Sequence, residues 1–425
     1  MTESKKQPKS ADVVVIGGGI VGTSTAWFLA RQGLNVALCE KGIVAGEQSS
    51  RNWGFIRKQG RNPREIPLMV HSLEIWEDLT DQQKKNIGFH KGGTLYLSET
   101  EKRYQANQAW LEHAKTFGLD SRFLSPVELK TLIPEMQEQK RGALYTPSDA
   151  RAEPELATRA IANIAQSCGA AILEQCAVRG IDVEAGRVSG VVTEHGRIKT
   201  STVVCAGGAW SGYFCRHLDI VFPHLKVISS VMATEATSFS MQQSLWSSGL
   251  GMRKRQDGGY SIAFGGSSDC EITPDFIRFC NSYISNYLNS KETVSLKLGS
   301  RFFKELSWPK KWSFDHVTVF EKERMLDPAP NEKLLNQAYK LLGQNFPNLQ
   351  NIAIAKKWAG MIDVTPDELP VISEVSDLPG LIISTGFSGH GFGIGPGAGK
   401  VTAELATGGE TAVDISCFSL SRLRK

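Results

Sequence analysis

The feature that most constrains the fold is a glycine-rich turn near the start of the chain. Residues 13–16 (VVVI) run directly into GGGIVG at residues 17–22, a helical pattern follows, and a second apolar run at 34–39 ends in Glu40. This order of strand, turn, helix and strand is typical of a unit that binds the pyrophosphate of a dinucleotide.

Each glycine of the motif has its own role. Gly17 permits the tight turn, Gly19 lets the backbone approach the phosphates, and Gly22 lets the helix pack closely on the strand. The first helical residues, Ile20 and Val21, present free N–H groups and the positive end of the helix dipole to the anion.

The acidic residue at the end of the second strand limits which dinucleotides can bind. Glu40 follows Gly22 by 18 residues, which suits a carboxylate that accepts hydrogen bonds from both ribose hydroxyls. Its charge would repel a 2′-phosphate. The motif therefore predicts NAD or FAD, and does not choose between them.

Bulk composition describes an ordinary globular protein. A chain of 425 residues exceeds the size of one core, so two domains are expected. A net charge of +4 does not point to nucleic acid as a partner. The eight cysteines show no metal-like spacing, which predicts free thiols and no metal site. With no signal-peptide pattern and no long apolar run, we expect a cytoplasmic protein without an integral membrane segment.

The apolar patterns are spread along the chain in separate blocks. Apolar strands are predicted at 170–173, 202–210 and 381–385, a hairpin at 176–193, and alternating strands of a second sheet at 91–98, 225–234 and 259–265. The predicted fold class is therefore α/β (α+β), with a discontinuous Rossmann-like domain and a substrate domain built on a mixed, largely antiparallel sheet. The expected boundaries are 11–88, 146–222 and 353–425 for the nucleotide-binding domain, and 89–145 and 223–352 for the substrate-binding domain.

Four motifs together resemble a known family. The opening GGGIVG, TVVCAGGAW at 202–210, WAGMIDVTPDELPVI at 358–372 and GFSGHGF at 386–392 resemble the FAD-dependent amine and amino-acid oxidoreductases. The resemblance is to the glycine oxidase, sarcosine oxidase and D-amino-acid dehydrogenase group, and it covers residues 11–405. It implies FAD rather than NAD.

The resemblance also implies which residues contact the cofactor. The glycine motif and Glu40 belong to the AMP half, and the loop that contains His390 faces the pyrimidine end of the flavin through its backbone. The complete set of cofactor residues expected on these grounds is Gly17, Gly19, Ile20, Val21, Gly22, Glu40, Lys41, Ser49, Ser50, Val178, Ala206, Gly207, Trp210, Gly360, Gly389, His390, Gly391, Phe392 and Gly393.

Arginines are the expected ligands of a substrate carboxylate. Arg57 lies close to the position of the carboxylate-binding arginine of sarcosine oxidases, and an arginine fork donates two parallel hydrogen bonds to a carboxylate. Arg61 follows in the same basic cluster. Sarcosine oxidases carry a lysine where this chain has Gly393, so a second cation is sought elsewhere, with Arg324, Arg253 and Arg255 as candidates.

A catalytic base is not required by the expected reaction. His390 is the one candidate, and the alternative is that only its backbone contacts the flavin. A neutral amine gives up a hydride from its α-carbon to flavin N5, and the resulting imine hydrolyses in water. The substrate is therefore expected to be a small amino acid or an N-substituted glycine.

Other readings stay open at this point. A 2-hydroxy acid dehydrogenase would use the same hydride geometry, and one tRNA-modifying family carries a similar FAD domain. In the enzymes that this chain resembles, a covalent FAD link would place a cysteine near Gly360 or a histidine near Arg51; this sequence has neither, so we expect non-covalent FAD. The lysine that speeds oxygen attack in sarcosine oxidase has no match in residues 265–273, so the electron acceptor, either O2 or a quinone or electron-transfer partner, stays undecided. A homo-oligomer is compatible with the sequence.

Overall fold

A computed structural model of the protein describes residues 7–137, 141–290 and 294–423. Within these ranges the α-helices are α1 (Ile20–Arg31), α2 (Gln48–Arg51), α3 (Ile66–Glu77), α4 (Asp81–Asn86), α5 (Glu101–Thr116), α6 (Pro126–Leu132), α7 (Pro154–Ser167), α8 (Ser211–His217), α9 (Pro274–Ser290), α10 (Ser300–Leu306), α11 (Val319–Lys322), α12 (Glu332–Asn345) and α13 (Gly391–Ala406).

The strands of the described residues form four sheets. They are β1 (Val13–Ile16), β2 (Val36–Cys39), β3 (Phe55–Ile56), β4 (His90–Lys91), β5 (Thr94–Leu97), β6 (Arg122–Leu124), β7 (Ala143–Thr146), β8 (Ala150–Arg151), β9 (Ala171–Leu173), β10 (Val178–Glu184), β11 (Arg187–Thr193), β12 (Gly196–Lys199), β13 (Val203–Cys205), β14 (Leu225–Thr234), β15 (Ser244–Trp246), β16 (Gly251–Lys254), β17 (Tyr260–Ala263), β18 (Ser268–Glu271), β19 (Val294–Lys297), β20 (Ile354–Val364), β21 (Val371–Glu374) and β22 (Leu381–Thr385).

The nucleotide-binding motif belongs to a six-stranded sheet in the order β21-β22-β13-β1-β2-β9. Its pairs are parallel except for β21 with β22, which are antiparallel. The strands are short apolar runs that are buried on both faces, as a parallel sheet requires. Their carboxyl ends lie at one edge of the sheet, where a doubly wound fold binds its ligand.

Two different layers cover this sheet. On one face, α1 packs between α7 and α13, and α13 also packs on α3. On the other face, the antiparallel sheet β10-β11-β12 shares a core with alternate residues of β1, β2 and β13. Val14 joins that second core, whereas Val13 and Val15 join the helical one, because successive strand residues point to opposite faces.

The second large sheet has ten strands, in the order β19-β18-β14-β17-β16-β15-β5-β7-β6 with β20 paired to β14. Most of its pairs are antiparallel, and β15 with β5 and β18 with β19 are parallel. The fourth sheet, β3-β8-β4, is small and antiparallel. The mixed α/β class is confirmed.

One long strand connects the two large bodies of structure. β20 lies inside the predicted segment 353–425 of the nucleotide-binding domain, yet it pairs with β14 from Leu225 to Thr234. The predicted domain boundaries stay a prediction. Among the described residues no helix combines the length and the apolar character that a membrane span needs.

Candidate active site

The glycine-rich turn lies between the end of β1 and the first turn of α1. Gly17 has a φ of +107°, and a Cβ there would lie 2.5 Å from the carbonyl oxygen of Ala206. A Cβ on Gly22 would lie 2.0 Å from the carbonyl oxygen of Gly17. Gly19 precedes the helix and provides no side-chain cap. The N-terminus of α1 therefore borders the cleft, where its Ile20 N–H donates to Ser49 Oγ at 2.9 Å.

Glu40 closes one end of this cleft. Its Oε2 accepts a hydrogen bond from the Gly18 N–H at 2.7 Å, and its Oε1 accepts one from the Gly42 N–H at 2.7 Å. Burial raises the pKa of Glu40, and the two amide donors act in the opposite direction. Each carboxylate oxygen keeps a second lone pair, which can accept a hydroxyl hydrogen bond.

Most of the predicted cofactor residues line one continuous cleft. Those that do are Gly17, Gly19, Ile20, Val21, Glu40, Lys41, Ser49, Val178, Ala206, Gly207, Trp210, Gly389, Gly391 and Phe392. Gly22 packs underneath the turn, and His390 and Gly393 line a second cavity instead. The cleft therefore joins the amino-terminal motif to the carboxyl-terminal glycine loop.

Two further predicted cofactor residues, Ser50 and Gly360, line neither the cleft nor the second cavity. The Ser50 hydroxyl donates to the Glu47 carbonyl oxygen at 3.0 Å, within α2. Gly360 lies on β20, and a Cβ there would lie 2.0 Å from Oε1 of Gln48. Gly360 thus provides room for the neighbouring helix and has no contact surface in the cleft.

Glu47 joins several elements around the cleft. Its Oε1 accepts hydrogen bonds from Lys41 Nζ at 2.9 Å, from Trp210 Nε1 at 3.0 Å and from the Leu326 N–H at 3.0 Å. The Lys41 ammonium also lies 4.4 Å from the centroid of the Trp210 ring. One carboxylate therefore fixes two of the predicted cofactor residues.

The glycine loop between β22 and α13 is held by a buried acid. Oδ2 of Asp363 accepts a hydrogen bond from the Gly386 N–H at 2.6 Å and one from Thr385 Oγ1 at 2.9 Å. The Ser388 N–H donates to the Asp363 carbonyl oxygen at 2.9 Å. Burial raises the pKa of the Asp363 carboxyl. These bonds fix the loop to β20, and the N-terminus of α13 faces the cleft.

A second cavity of about 700 Å³ adjoins the cleft. The two share Gln48, Asn52, Ile362, Gly389 and Phe392, so the cavity opens onto the end of the cleft at the carboxyl-terminal glycine loop, where the resemblance places the flavin. Its aromatic lining residues are Trp53, Phe55, Trp246, Phe264, Phe276 and Tyr283. The volume lies within the range of ordinary small-molecule sites.

Arg57 lines this cavity and makes no ion pair with any residue that the structure describes. Its guanidinium carbon lies 5.6 Å from the ring centroids of both Tyr96 and Trp246, and it donates to the Gln59 carbonyl oxygen. The aromatic rings hold the guanidinium without neutralising it. Arg57 is therefore placed to receive an anion.

Arg61 also lines the cavity, but its guanidinium is buried and already engaged. Its Nε donates to the Arg57 carbonyl oxygen at 2.8 Å, and one terminal nitrogen donates to the His390 carbonyl oxygen at 3.1 Å. The other lies 3.6 Å from Oε1 of Glu65. Burial lowers the pKa of Arg61 to about 10. Arg61 links the loop of Arg57 to the glycine loop.

Arg324 does not line the cavity. Its two terminal nitrogens lie 2.5 and 2.6 Å from the carboxylate oxygens of Glu194, and it also donates to the Lys41 carbonyl oxygen. These hydrogen bonds occupy both terminal nitrogens of Arg324, which lies near the end of the cleft that Glu40 closes. The expectation that Arg324 binds the substrate carboxylate is not supported by this position.

The two alternative cations are also engaged elsewhere. Arg253 forms a buried bidentate pair with Glu153, at 2.8 and 3.0 Å. Arg255 pairs with Asp257 at 2.6 Å. Neither residue lines the cavity.

The carboxylate of Glu65, which the sequence does not identify as part of the site, lies next to the His390 ring. Glu65 precedes α3 and is fully buried, with Oε2 at 3.2 Å from Nδ1 of His390. Burial alone would raise the pKa of Glu65, but the positive charges of His390, Arg61 and Arg57 outweigh it and hold that pKa below its usual range. The sequence shows Glu65 only as one acid in a basic cluster, so its burial was not predictable.

The aromatic residues that line the cavity are also not evident as a group from the sequence. Trp246, Phe264 and Tyr283 come from separate elements of the large sheet and from α9, and no local pattern marks them as neighbours. The cavity and the predicted cofactor residues meet only in the folded chain.

The cleft fits an extended dinucleotide. A Cβ at Gly19 would lie 3.0 Å from Ser49 Oγ, which accepts the Ile20 N–H, so backbone groups and one serine hydroxyl border the position of a diphosphate at α1. The carboxylate of Glu40 lies at one end and a second helix N-terminus at the other, as a ribose and a flavin require. The fold and the cleft thus define a dinucleotide-binding protein of the doubly wound class. Residues 12–405 match the FAD dependent oxidoreductase family, and the chain belongs to it. The predictions of FAD and of an oxidoreductase are confirmed.

Curated relatives share moderate identity with the whole chain. The mitochondrial sarcosine dehydrogenase of Mus musculus is 26% identical over 428 residues, which cover 99% of this chain and 42% of that protein. The chain therefore spans less than half of the length of that relative. The glycine oxidase of Geobacillus kaustophilus is 24% identical over 97% of both chains.

The most informative structural likeness is to an L-amino acid deaminase from Proteus myxofaciens, solved in complex with anthranilate. It has a TM-score of 0.95 and 30% identity, and the match covers 100% of this chain and 96% of that one. The L-proline dehydrogenase of P. horikoshii has a TM-score of 0.80 and 25% identity, covering 98% and 99%.

Proposed function

We propose that this chain oxidises the C–N bond of an amino acid, and that Arg57 binds the carboxylate of the substrate. The observation that carries the proposal is the guanidinium of Arg57, which has no ion pair among the described residues and lies in a cavity that opens onto the flavin end of the cleft. The named activities of the relatives, on sarcosine, glycine and L-amino acids, support this class of donor.

The carboxylate would fix the position of the reacting carbon. A guanidinium fork holds a carboxylate by two parallel bonds, and this limits the rotation of the attached α-carbon. FAD, when bound, supplies the acceptor of the hydride from that carbon. The chain itself orients the amine, surrounds it with an apolar wall, and leaves the imine product to hydrolyse in water.

The cavity favours a bulky apolar side chain on the substrate. A volume of about 700 Å³ is far larger than glycine or sarcosine needs. Trp53, Trp246 and Phe264 offer flat apolar surfaces to such a side chain. We therefore expect large apolar amino acids to be better substrates than glycine and N-substituted glycines.

A panel of donors tests the reaction class. Anaerobic mixing of the yellow protein with leucine, phenylalanine and alanine of both hands, and with glycine, sarcosine and lactate, should bleach the flavin absorption with an apolar amino acid. Bleaching by lactate alone would instead establish a 2-hydroxy acid dehydrogenase. Hydrogen peroxide formed during turnover in air distinguishes O2 from a quinone as the electron acceptor.

The role of Arg57 is tested by a conservative substitution. Arg57→Lys keeps the charge but loses the fork, so KM for the best amino acid should rise at least about tenfold, which is 1.4 kcal/mol. The matched control is Arg64→Lys, an exposed arginine of the same loop, which should leave KM unchanged. An unchanged KM in Arg57→Lys would remove Arg57 from the site.

A further inference from the structure

The imidazole of His390 lies between a buried carboxylate and the substrate cavity. Its Nδ1 is 3.2 Å from Oε2 of Glu65, which has no solvent exposure, whereas the histidine side chain is 21% exposed and lines the cavity. No described residue forms a hydrogen bond with the other ring nitrogen, Nε2. One ring nitrogen thus faces a negative charge, and the other is left for a ligand.

The carboxylate decides which ring nitrogen carries the proton. An ionised carboxylate only accepts hydrogen bonds, so neutral His390 is most stable with its proton on Nδ1 toward Glu65. Nε2 then carries the lone pair. The same arrangement, an acid that holds a histidine in one tautomer, makes the free nitrogen a proton acceptor in other enzymes.

We propose that His390 accepts a proton from the substrate ammonium at Nε2, and that Glu65 is the positioning residue that sets its tautomer. The proposal rests on the amino acid oxidation proposed above. An amino acid is bound near neutral pH as its ammonium form, which carries no lone pair on nitrogen and resists loss of a hydride from the α-carbon.

The step balances without any redox partner. One N–H bond of the ammonium breaks, its electron pair stays on the amine nitrogen, and an N–H bond forms at Nε2 of His390. The imidazolium that results lies against Glu65, whose charge stabilises it. Flavin reduction follows as a separate step.

The surrounding charges are consistent with this role. Arg61 and Arg57 face Glu65 from their loop and, together with His390, outweigh the effect of burial and hold the pKa of Glu65 below its usual range. The other charged residues of the cavity wall are Arg51, Arg103 and Glu368, and its neutral titratable groups are Cys270, Cys280 and Tyr283. Neither oxygen of Glu65 forms a well-aligned hydrogen bond with a described residue, so its interactions are with charges.

The pH dependence of flavin reduction tests the acceptor. With the best amino acid of the panel, His390→Asn should reduce its flavin about 100-fold more slowly at pH 7 under anaerobic conditions. The rate should recover as the pH approaches the pKa of the substrate ammonium, because the amine then arrives already neutral. A variant with the wild-type rate and pH profile would overturn the proposal.

Substitution of Glu65 tests the positioning role. Glu65→Gln removes the charge that favours the proton on Nδ1 of His390 and that stabilises the imidazolium. Flavin reduction at pH 7 should therefore be about tenfold slower, and the rate should recover at high pH, where the substrate amine arrives already neutral. The control is Glu74→Gln, which removes an exposed carboxylate 3.4 Å from His71 on the same face of α3. A Glu65→Gln variant with the wild-type rate and pH profile would contradict the role of Glu65.

A spectroscopic measurement keeps the test independent of turnover and of folding losses. In the FAD-loaded protein labelled with [15N]histidine, the nitrogen shifts of His390, assigned with His390→Asn, should show the Nδ1–H tautomer. A protonated Nε2 in the neutral imidazole would overturn the proposal. If no amine bleaches the wild-type flavin, the proposed function fails; if amines bleach wild type and His390→Asn equally, only this inference fails.

Discussion

Asp149 is a fully buried acid beneath the loop that carries Arg57. Its Oδ1 accepts a hydrogen bond from the Lys58 N–H at 2.8 Å, and Oδ2 accepts one from the Gln59 N–H at 3.3 Å. Burial raises the pKa of Asp149 to about 6, against the pull of these donors and of Lys58. The carboxylate thus fixes the backbone of the loop that carries Arg57, at a cost in stability at neutral pH.

This cost predicts a pH-dependent stability. Between pH 4 and 6 the folded protein keeps a proton on Asp149 that the unfolded chain releases, so stability falls as the pH rises through this window. Relative to Asp149→Asn, wild type should lose about 2 kcal/mol of unfolding free energy between pH 4 and pH 7. Denaturant titrations at several pH values measure this difference.

The control for Asp149 is an exposed acid. Asp81→Asn should give a stability difference from wild type that does not change with pH, because that side chain is open to solvent. A flat difference for Asp149→Asn would show that its carboxyl is not perturbed in the folded state.

At the residue scale the sequence predicts the roles of backbone groups better than it predicts the partners of charged side chains. Gly17 and Glu40 are placed as the motif predicts, because a turn and the strand that follows it are local in sequence. Arg324 is separated from Glu194 by 130 residues, and no local pattern reveals that pair. The partner of a charge is decided by the tertiary fold.

At the scale of elements, α13 is packed unusually closely. A Cβ on Gly395 would lie 2.6 Å from the Ile20 side chain, one on Gly397 would lie 2.8 Å from Cβ of Ser72, and one on Gly399 would lie 2.3 Å from Cβ of Ser24. These glycines let α13 approach both α1 and α3. The close approach fixes the helix whose N-terminus faces the flavin end of the cleft.

A methyl group should force these helices apart. Gly399→Ala meets the backbone nitrogen of Thr25 at 2.7 Å as well as Ser24, so it should lower the unfolding free energy by about 1–3 kcal/mol and reduce the FAD content. Thermal unfolding and the ratio of flavin to protein absorbance report both effects. Gly409→Ala, whose Cβ would have its nearest contact at 3.5 Å, should change neither.

Strand prediction succeeded where an apolar run has clear polar or glycine borders. β1, β14 and β22 begin and end where the patterns predict. β20 was recognised as a motif but not as a strand of the large sheet, because its first half, IAKKW, is largely exposed. Pairing with β14 stabilises that half, and this pairing is not local.

At the scale of the whole molecule, the predicted cofactor residues that line the cleft come from three separate stretches of chain. Gly17 and Glu40 come from the first, Val178 and Ala206 from the second, and Gly389 from the last. A ligand that touches all three should stabilise the entire fold. No fragment of that ligand can do the same.

FAD should therefore raise the thermal stability more than its parts do. At 100 times its Kd, FAD is expected to add about 2.7 kcal/mol to the unfolding free energy, whereas ADP or FMN at the same concentration should add less. Melting curves of flavin-depleted protein with each ligand measure this. Equal shifts with ADP and FAD would mean that the flavin half makes no net contribution.

Acid precipitation should release the flavin intact, since we expect no covalent bond.

The contact between Arg61 and the carbonyl oxygen of His390 has a practical consequence. Through it, the loop that presents Arg57 is fastened to the loop that borders the flavin, at 3.1 Å. A carboxylic acid that occupies Arg57 without reacting would pull on both loops together. A change in the visible spectrum of the bound flavin should then report how much of the protein has bound the acid. Unreactive carboxylic acids can therefore be titrated and ranked by affinity before any substrate is known.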